Sequence, residues 1–301
     1  MGGIDSVIPD IVPLSPRDWD EYELLDSGDG AKLERFGKYV FVRPDKGIFW
    51  KRALPAKRWQ DVDAIFQQPE SGEGRWIQKR AVPERWLMRY RGLAFWARLT
   101  PFRHTGVFPE QAPQWDWITE QIRSTRAPVN VLNLFGYTGI ATLAAAAAGA
   151  SVTHVDASRP TLAWARENAN AADLQDRPIR WILDDALKFV RRESRRARRY
   201  DGIIMDPPVF GRGPKGEIWR FEKSFPLLLD ACKEILSDQP LLVLITAYAI
   251  QESSLLLYNL LSDWMKTRGG HITAGELVLQ DSAAHRPLSA AIYARWSREE
   301  D

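Results

Sequence analysis

Beyond Pro128 the chain alternates apolar runs of four to seven residues with helical stretches. Short apolar runs bounded by turn residues read as buried strands, and their alternation with helices is the pattern of parallel strands joined by helical crossovers. Strands are predicted at Val129–Phe135, Val152–Asp156, Ile179–Asp184, Gly202–Met205, Leu241–Thr246, Glu276–Leu279 and Ala290–Trp296. Helices are predicted at Thr138–Ala148, Arg159–Ala172, Ala186–Arg196, Ser224–Leu236 and Gln251–Arg268. The first is rich in alanine, which favours helix and permits close packing on a sheet. The fold class is therefore α/β, with a seven-stranded doubly wound sheet.

From Trp19 to about Phe102 the pattern differs. Short apolar and aromatic pieces are broken by Gly, Pro and Asp, as in the run from Lys38 to Arg43 before Pro44. These read as short strands and turns. Trp19, Trp50, Trp59, Trp76, Trp86 and Trp96 fall here, enough large side chains to fill the core of a smaller β-rich N-terminal domain. The expected division is an extension over 1–18, a β-rich domain over 19–103 with a candidate role in substrate binding, and the α/β domain over 104–301.

Composition narrows the class without deciding it. The 301 residues are 45% hydrophobic, ample for a packed core. The longest apolar runs, near Ile140–Ala150 and Leu241–Ile250, fall short of the ~20 residues that cross a bilayer, so no membrane span is expected. Met1 to Leu14 has neither the basic start nor the apolar stretch of a secretory signal, which makes the cytoplasm the expected location. Met1-Gly2 with Ser6 formally fits a myristoylation pattern, but no polybasic segment follows to stabilise an anchor. A lone cysteine, Cys232, and four scattered histidines offer no metal-ligand spacing; no metal is expected. The net charge of +2 is unevenly spread: residues 1–30 hold eight acidic side chains against Arg17, whereas 75–103 hold eight Lys/Arg against Glu84.

The candidate chemistry begins where Val129–Phe135 runs into Gly136-Tyr137-Thr138-Gly139 and then a helix. Two glycines at such a turn let a ligand approach backbone N–H groups at a helix N-terminus. Asp156 lies twenty residues beyond Gly136, at the end of the next strand, where a carboxylate can accept both hydroxyls of a ribose. Asp184-Asp185 ends the third strand, and a carboxylate there can accept from an adenine amino group. In this order the three positions suit a purine nucleoside. A nicotinamide dinucleotide is the weaker fit, because Leu134 stands where the first glycine of G-x-G-x-x-G belongs. Asp206-Pro207-Pro208-Val209-Phe210 follows the fourth strand, at the carboxyl edge where open α/β sheets bind ligands.

Taken together, Asn133-Leu-Phe-Gly-Tyr-Thr-Gly139, Asp156 with Ser158, Asp185 and Asp206-Pro207-Pro208 resemble the class I S-adenosylmethionine (SAM)-dependent methyltransferases. The resemblance is strongest to the branch containing bacterial large-subunit ribosomal RNA methyltransferases, and it spans roughly residues 104–296. It implies a Rossmann-like fold and SAM as cofactor. Asn133, Phe135, Gly136, Thr138 and Gly139 would form the loop around the methionine moiety, Asp156 with Ser158 the ribose site and Asp185 the adenine site. Asp206, Pro207 and Pro208 would border the transferred methyl group. Gln111 in His104-Thr-Gly-Val-Phe-Pro-Glu-Gln111 resembles the family's segment lying over the cofactor; the alternative is an ordinary interdomain loop.

For the acceptor, Asp206 can receive an exocyclic N–H, the prolines hold their carbonyls at restricted angles, and Phe210 is either a stacking face or buried packing. Methylation at pyrimidine carbon-5 requires a thiolate nucleophile. In cytosine-methylating relatives it follows the fifth strand, where this chain reads Ile245-Thr246-Ala247-Tyr248, and Cys232 falls inside the preceding helix. Direct transfer to nitrogen or oxygen is the remaining chemistry. Arg212 and Lys215 in the loop 211–219 suit a mobile lid over an anionic acceptor, or simply a solvated loop. Residues 75–103 interleave Arg75, Lys79, Arg80, Arg85, Arg89 and Arg91 with Trp76, Trp86, Tyr90 and Trp96, either an RNA surface or a β-domain with buried tryptophans. The arginine run 191–199 joins a helix to the start of the fourth strand, away from the cofactor edge. The leading expectation is methylation of RNA, ribosomal RNA above all. The alternatives are a protein or small-molecule acceptor, a non-catalytic nucleotide- or RNA-binding module, and a nicotinamide dehydrogenase.

Overall fold

The computed structural model describes residues 9–69, 74–101 and 103–298. The myristoylation pattern at Met1, Gly2 and Ser6, and Phe102, lie outside them.

The N-terminal half builds a five-stranded sheet in sequential order from β1 (Tyr22–Gly28), β2 (Ala31–Phe36), β3 (Tyr39–Pro44), β4 (Ala64–Gln67) and β5 (Arg75–Gln78). A short helix α1 (Ala56–Gln60) separates β3 from β4, and β6 (Trp86–Tyr90) with β7 (Leu93–Ala97) forms a hairpin. Phe36, Phe41, Met88 and Phe95 are fully buried at its centre, with Trp19, Tyr90 and Trp115 meeting in tilted and edge-to-face contacts, an arrangement favoured by the ring quadrupole. This core runs on without a break into side chains of the second half, including Ile140, Leu143 and Leu288.

The linker after β7 makes a short 3₁₀ turn at Pro109–Gln111 and then α2 (Ala112–Ser124), a helix outside the sequence-based set. Its buried Trp115, Ile118 and Ile122 recur at helical spacing, and Pro113 sits in the first turn, where the missing N–H costs nothing.

All seven predicted strands are present: β8 (Asn130–Leu134), β9 (Ser151–Asp156), β10 (Ile179–Leu183), β11 (Gly202–Met205), then, after an extra hairpin of β12 (Phe210–Arg212) and β13 (Ile218–Arg220), β14 (Leu242–Ala247), β15 (His271–Gln280) and β16 (Pro287–Ser297). The five predicted helices are α3 (Ile140–Ala148), α4 (Arg159–Ala171), α5 (Ala186–Arg195), α6 (Phe221–Ile235) and α7 (Ser254–Met265). The sheet runs β10-β9-β8-β11-β14-β16-β15. The first five are parallel, whereas β16 lies antiparallel to both β14 and β15, so the far edge is a hairpin rather than another crossover. Strand order reverses between β8 and β11, which opens a crevice at their carboxyl ends.

Part of the expected extension is built into this sheet. Val12 and Leu14 donate N–H groups to the carbonyls of Ala274 and Glu276 on β15, and Val278 donates to Leu14. A Cβ on Gly275 would lie 1.9 Å from the Val12 carbonyl oxygen; glycine there permits the backbone approach. Among the described residues no helix is long and apolar enough to cross a membrane.

Candidate active site

The turn after β8 is held in unusual backbone geometry. Phe135 (φ 58°), Tyr137 (φ 48°) and Gly139 (φ 85°) all occupy the left-handed region, a conformation that side chains resist and that clusters at functional sites. Gly136 packs over the buried His154 ring, and a Cβ at that position would stand 2.4 Å from His154 Cε1. Burial, with Arg166 nearby, pushes the His154 imidazole down to about 3, so the ring under the turn is neutral. Its Nδ1 lies 2.9 Å from Thr142 Oγ1.

Asp156 at the end of β9 clamps this turn to the next one. Its Oδ2 accepts the Tyr137 N–H at 2.9 Å, and Oδ1 accepts the Ser158 N–H and the Thr161 hydroxyl at 2.8 and 2.9 Å. Burial raises its carboxyl above the ordinary range while these donors pull it back. A carboxylate has about four acceptor positions, so capacity is left for a ligand. Ser158 caps α4. Asp185 caps α5 through the Lys188 N–H at 2.9 Å, and neighbouring Asp184 is paired with Arg192 at 2.6 Å. The arginine run therefore has one member, Arg192, reaching the carboxyl edge; from Arg195 to Arg199 it is exposed, at the opposite end of the helix.

A cavity of about 720 Å³ opens between the two halves, within the size range of small-molecule sites. Asp156, Ser158, Asp185, Pro207, Pro208 and Arg212 stand on its wall. A narrower arm of about 60 Å³ adjoins it, lined by Gln111, Asn133, Gly136, Thr138 and Gly139, and Phe135 and Asp206 border both. Asn133 spends its amide on Thr142 Oγ1 at 2.9 Å, and Thr138 donates to the Gly106 carbonyl at 2.7 Å; both brace the loop. Phe210 and Lys215 are exposed and stand on neither wall. The segment expected as a lid loop is instead the β12–β13 hairpin. Lys188–Glu217 (2.6 Å) pins it to α5, and the Trp219 indole donating to the Pro208 carbonyl (2.6 Å) pins it to the motif. The extra order comes from Gly213 and Gly216, whose N–H groups close the turn.

At the floor lies a group of side chains that spacing alone did not single out. Glu110 is buried, and burial raises its carboxyl. Asp206 Oδ2 accepts from Gln111 Nε2 at 3.3 Å, but its Oδ1 is buried without a partner among the described residues. Burial, with Glu110 nearby, pushes the Asp206 carboxyl up to about 8. His104, Phe108, Tyr137 and Tyr248 make an aromatic wall with ring centroids 5.1–5.5 Å apart. Burial, then the charges of Arg43, Arg103 and Lys32, pushes the His104 imidazole down to about 4. Two buried carboxyls without an ion pair among the described residues, facing an aromatic wall, suit a ligand that brings positive charge. The only sequence signal for Glu110 and Tyr248 was adjacency to Gln111 and to the fifth strand.

The profile of the S-adenosylmethionine-dependent methyltransferase family matches residues 43–260. The chain belongs to that family. Its cofactor is SAM, and the wall fits such a molecule: the Asp156 carboxylate with acceptor capacity left, a buried Asp206 Oδ1 without a partner among the described residues, and a cavity of about 720 Å³. The crystal structure of the SAM-dependent methyltransferase from Agrobacterium tumefaciens is 44% identical, covers 96% of this chain and 94% of that one, and superposes with a TM-score of 0.92. The large-subunit ribosomal RNA methyltransferase K/L of Shewanella sp. strain ANA-3 is 36% identical over 184 residues, 59% of this methyltransferase and 24% of that protein. The large-subunit ribosomal RNA methyltransferase K of Neisseria meningitidis serogroup B is 29% identical over 224 residues, 71% of this chain and 62% of that protein. The methyltransferase thus spans about a quarter of the K/L protein's length.

Proposed function

We propose that this methyltransferase transfers a methyl group directly to a base nitrogen of ribosomal RNA. The observation that carries the direct route is the place of the thiol. Cys232 is fully buried inside α6, and burial raises its pKa far above the ordinary thiol value, so it neither reaches the cavity nor ionises there. Bound SAM supplies a methyl group on a sulfonium, an electrophile that needs only an aligned lone pair. The protein's share is then alignment and water exclusion.

Asp156, Ser158 and Asp185 hold the nucleoside end. Asp206, oriented by Gln111, presents its free Oδ1 where an exocyclic N–H of the acceptor base can donate. Pro207 and Pro208 keep the strand end rigid, with the Pro208 carbonyl fixed by Trp219. Arg212 on the cavity wall, with Lys215 at the exposed hairpin tip, suits phosphate contacts flanking the base. The names of the curated relatives support RNA as the acceptor. This reading carries a cytoplasmic location, since ribosomal RNA is the substrate.

The test is incubation of the purified methyltransferase with methyl-tritiated SAM and ribosomal RNA or ribosomal subunits from a strain lacking the enzyme. Label in RNA, abolished by Asp206→Ala and retained by Cys232→Ala, is expected. Label confined to protein, or activity lost in Cys232→Ala despite normal folding, overturns the reading.

A further inference from the structure

Five of the eight basic residues in the tract at 75–103 are held in ion pairs. Arg80 pairs with Asp61, Arg85 and Arg98 with Glu167, Arg89 with Glu21 and Arg91 with Asp116, while Trp86 and Tyr90 are buried. A stretch with no acidic residue of its own lies elsewhere in the N-terminal half. Residues 46–58 contain Lys46, Lys51, Arg52, Lys57 and Arg58 and no Asp or Glu, and all five are exposed. Lys51 and Arg52 share the single carboxylate of Asp29. Lys46, Lys57 and Arg58 form no ion pair with a described residue.

At the tip of this segment Phe49 is 90% exposed. The exposure is built. Ile48 beside it is buried, and Trp50 on its other side donates its indole N–H to the Ser27 carbonyl at 3.0 Å. Buried Asp26 then gathers the rest of the loop, accepting from the Leu54 N–H at 2.8 Å and the Trp59 indole at 2.9 Å. Gly28 lets the loop backbone lie against β1, since a Cβ there would stand 2.3 Å from Arg52 N. Arg286 of the other half donates to the Lys51 carbonyl at 2.8 Å. Both neighbours of Phe49 are anchored, so its ring is held outward.

The tip follows closely in the chain on residues of the cavity wall. Lys32, Arg43 and Asp45 from the same strands line the wall, and the Ile48 N–H reaches the Asp45 carbonyl at 3.3 Å. Four residues of chain place Phe49 within about 14 Å of Asp45. We propose that this loop is a docking tip for the single-stranded RNA flanking the target nucleotide, with Phe49 stacking on an unpaired base and Lys46, Lys57 and Arg58 meeting its phosphates. The inference rests on the RNA reading above. A rigid exposed aromatic ring on a segment rich in Lys and Arg is the composition that holds unstacked bases, whereas a membrane surface calls for a wider apolar face than one phenylalanine.

Fluorescence anisotropy of the full-length protein with a short fluorescein-labelled single-stranded RNA tests it. Phe49→Ala is expected to weaken binding about tenfold, and Phe49→Trp to retain it. Replacing Lys46, Lys57 and Arg58 by glutamine should flatten the salt dependence by about 0.7 in log–log slope for each phosphate no longer neutralised. SAM affinity, measured by calorimetry, should stay unchanged in each variant, which also verifies folding. Phe49→Ala binding as tightly as wild type overturns the proposal. So does a loss confined to phosphatidylglycerol vesicles, which would identify a membrane contact. If wild type methylates ribosomal RNA and Phe49→Ala does so with the same KM, the docking tip falls and the function stands. If wild type neither binds nor methylates RNA, both fall.

Discussion

The buried carboxyl of Asp206 links cofactor binding to a proton. In the free protein, burial and the neighbouring Glu110 hold its pKa near 8 against an ordinary 3.8, so near neutral pH it is mostly protonated. A sulfonium cation beside Oδ1 favours the ionised form, and binding below about pH 8 must therefore release the proton. For one linked proton the apparent affinity falls about tenfold for each pH unit below that value, or about 1.4 kcal/mol per unit. Calorimetric titration with SAM from pH 6 to pH 9 would show Kd tightening up to about pH 8 and then levelling. At pH 7, repeating the titration in buffers of different ionisation enthalpy should reveal nearly one proton released. Asp206→Asn should flatten the profile and weaken binding at pH 8. Glu110 and the Tyr248 hydroxyl face the same group, and any slope surviving in Asp206→Asn belongs to Glu110. The stability of the free protein follows the same proton with a definite sign. Above the unfolded carboxyl's pKa the native state keeps a proton that the unfolded chain has lost, so stability declines as pH rises from about 4 to about 8. A pH-independent Kd in wild type, or an undiminished slope in the double variant Asp206→Asn with Glu110→Gln, refutes the linkage.

Two further outcomes follow from the glycine turn. Asp156→Ala removes both the proposed ribose acceptor and the clamp on the Tyr137 N–H; loss of a charged hydrogen bond worth about 1.5–3 kcal/mol should weaken SAM binding roughly ten- to hundredfold by calorimetry. Gly136→Ala drives a methyl group into the His154 ring and should cost about 1–3 kcal/mol in urea unfolding, with cofactor binding lost before the fold.

Periodicity over 129–296 is enough to place all seven strands of the main sheet and five of its helices, because the central parallel strands, buried on both faces, must be continuously apolar and the edge strands still carry apolar runs bounded by turn residues. The order Gly136, Gly139, Asp156, Asp185 and Asp206 was legible for a related reason. Each sits at or just beyond the carboxyl end of a strand, and consecutive strands in this topology bring those ends to one edge. Helix α2 was not legible, because the prolines and glutamines of 109–114 and its scattered tryptophans resemble a linker until Trp115, Ile118 and Ile122 find a surface to bury against. Charge was the least legible property. Five of the seven arginines of 75–103 look free in sequence and are paired by Asp61, Asp116, Glu21 and Glu167, residues up to 82 positions away. Likewise nothing in the sequence singles out Phe49, and only the anchoring of Ile48 and Trp50 on either side turns it outward. The α/β core and the line of cavity-facing positions are thus written in the chain itself, since they depend on local periodicity and strand ends. Which charges are neutralised, which polar atoms are orphaned and where the cavity closes emerge only on folding, because each depends on partners that are distant in the chain.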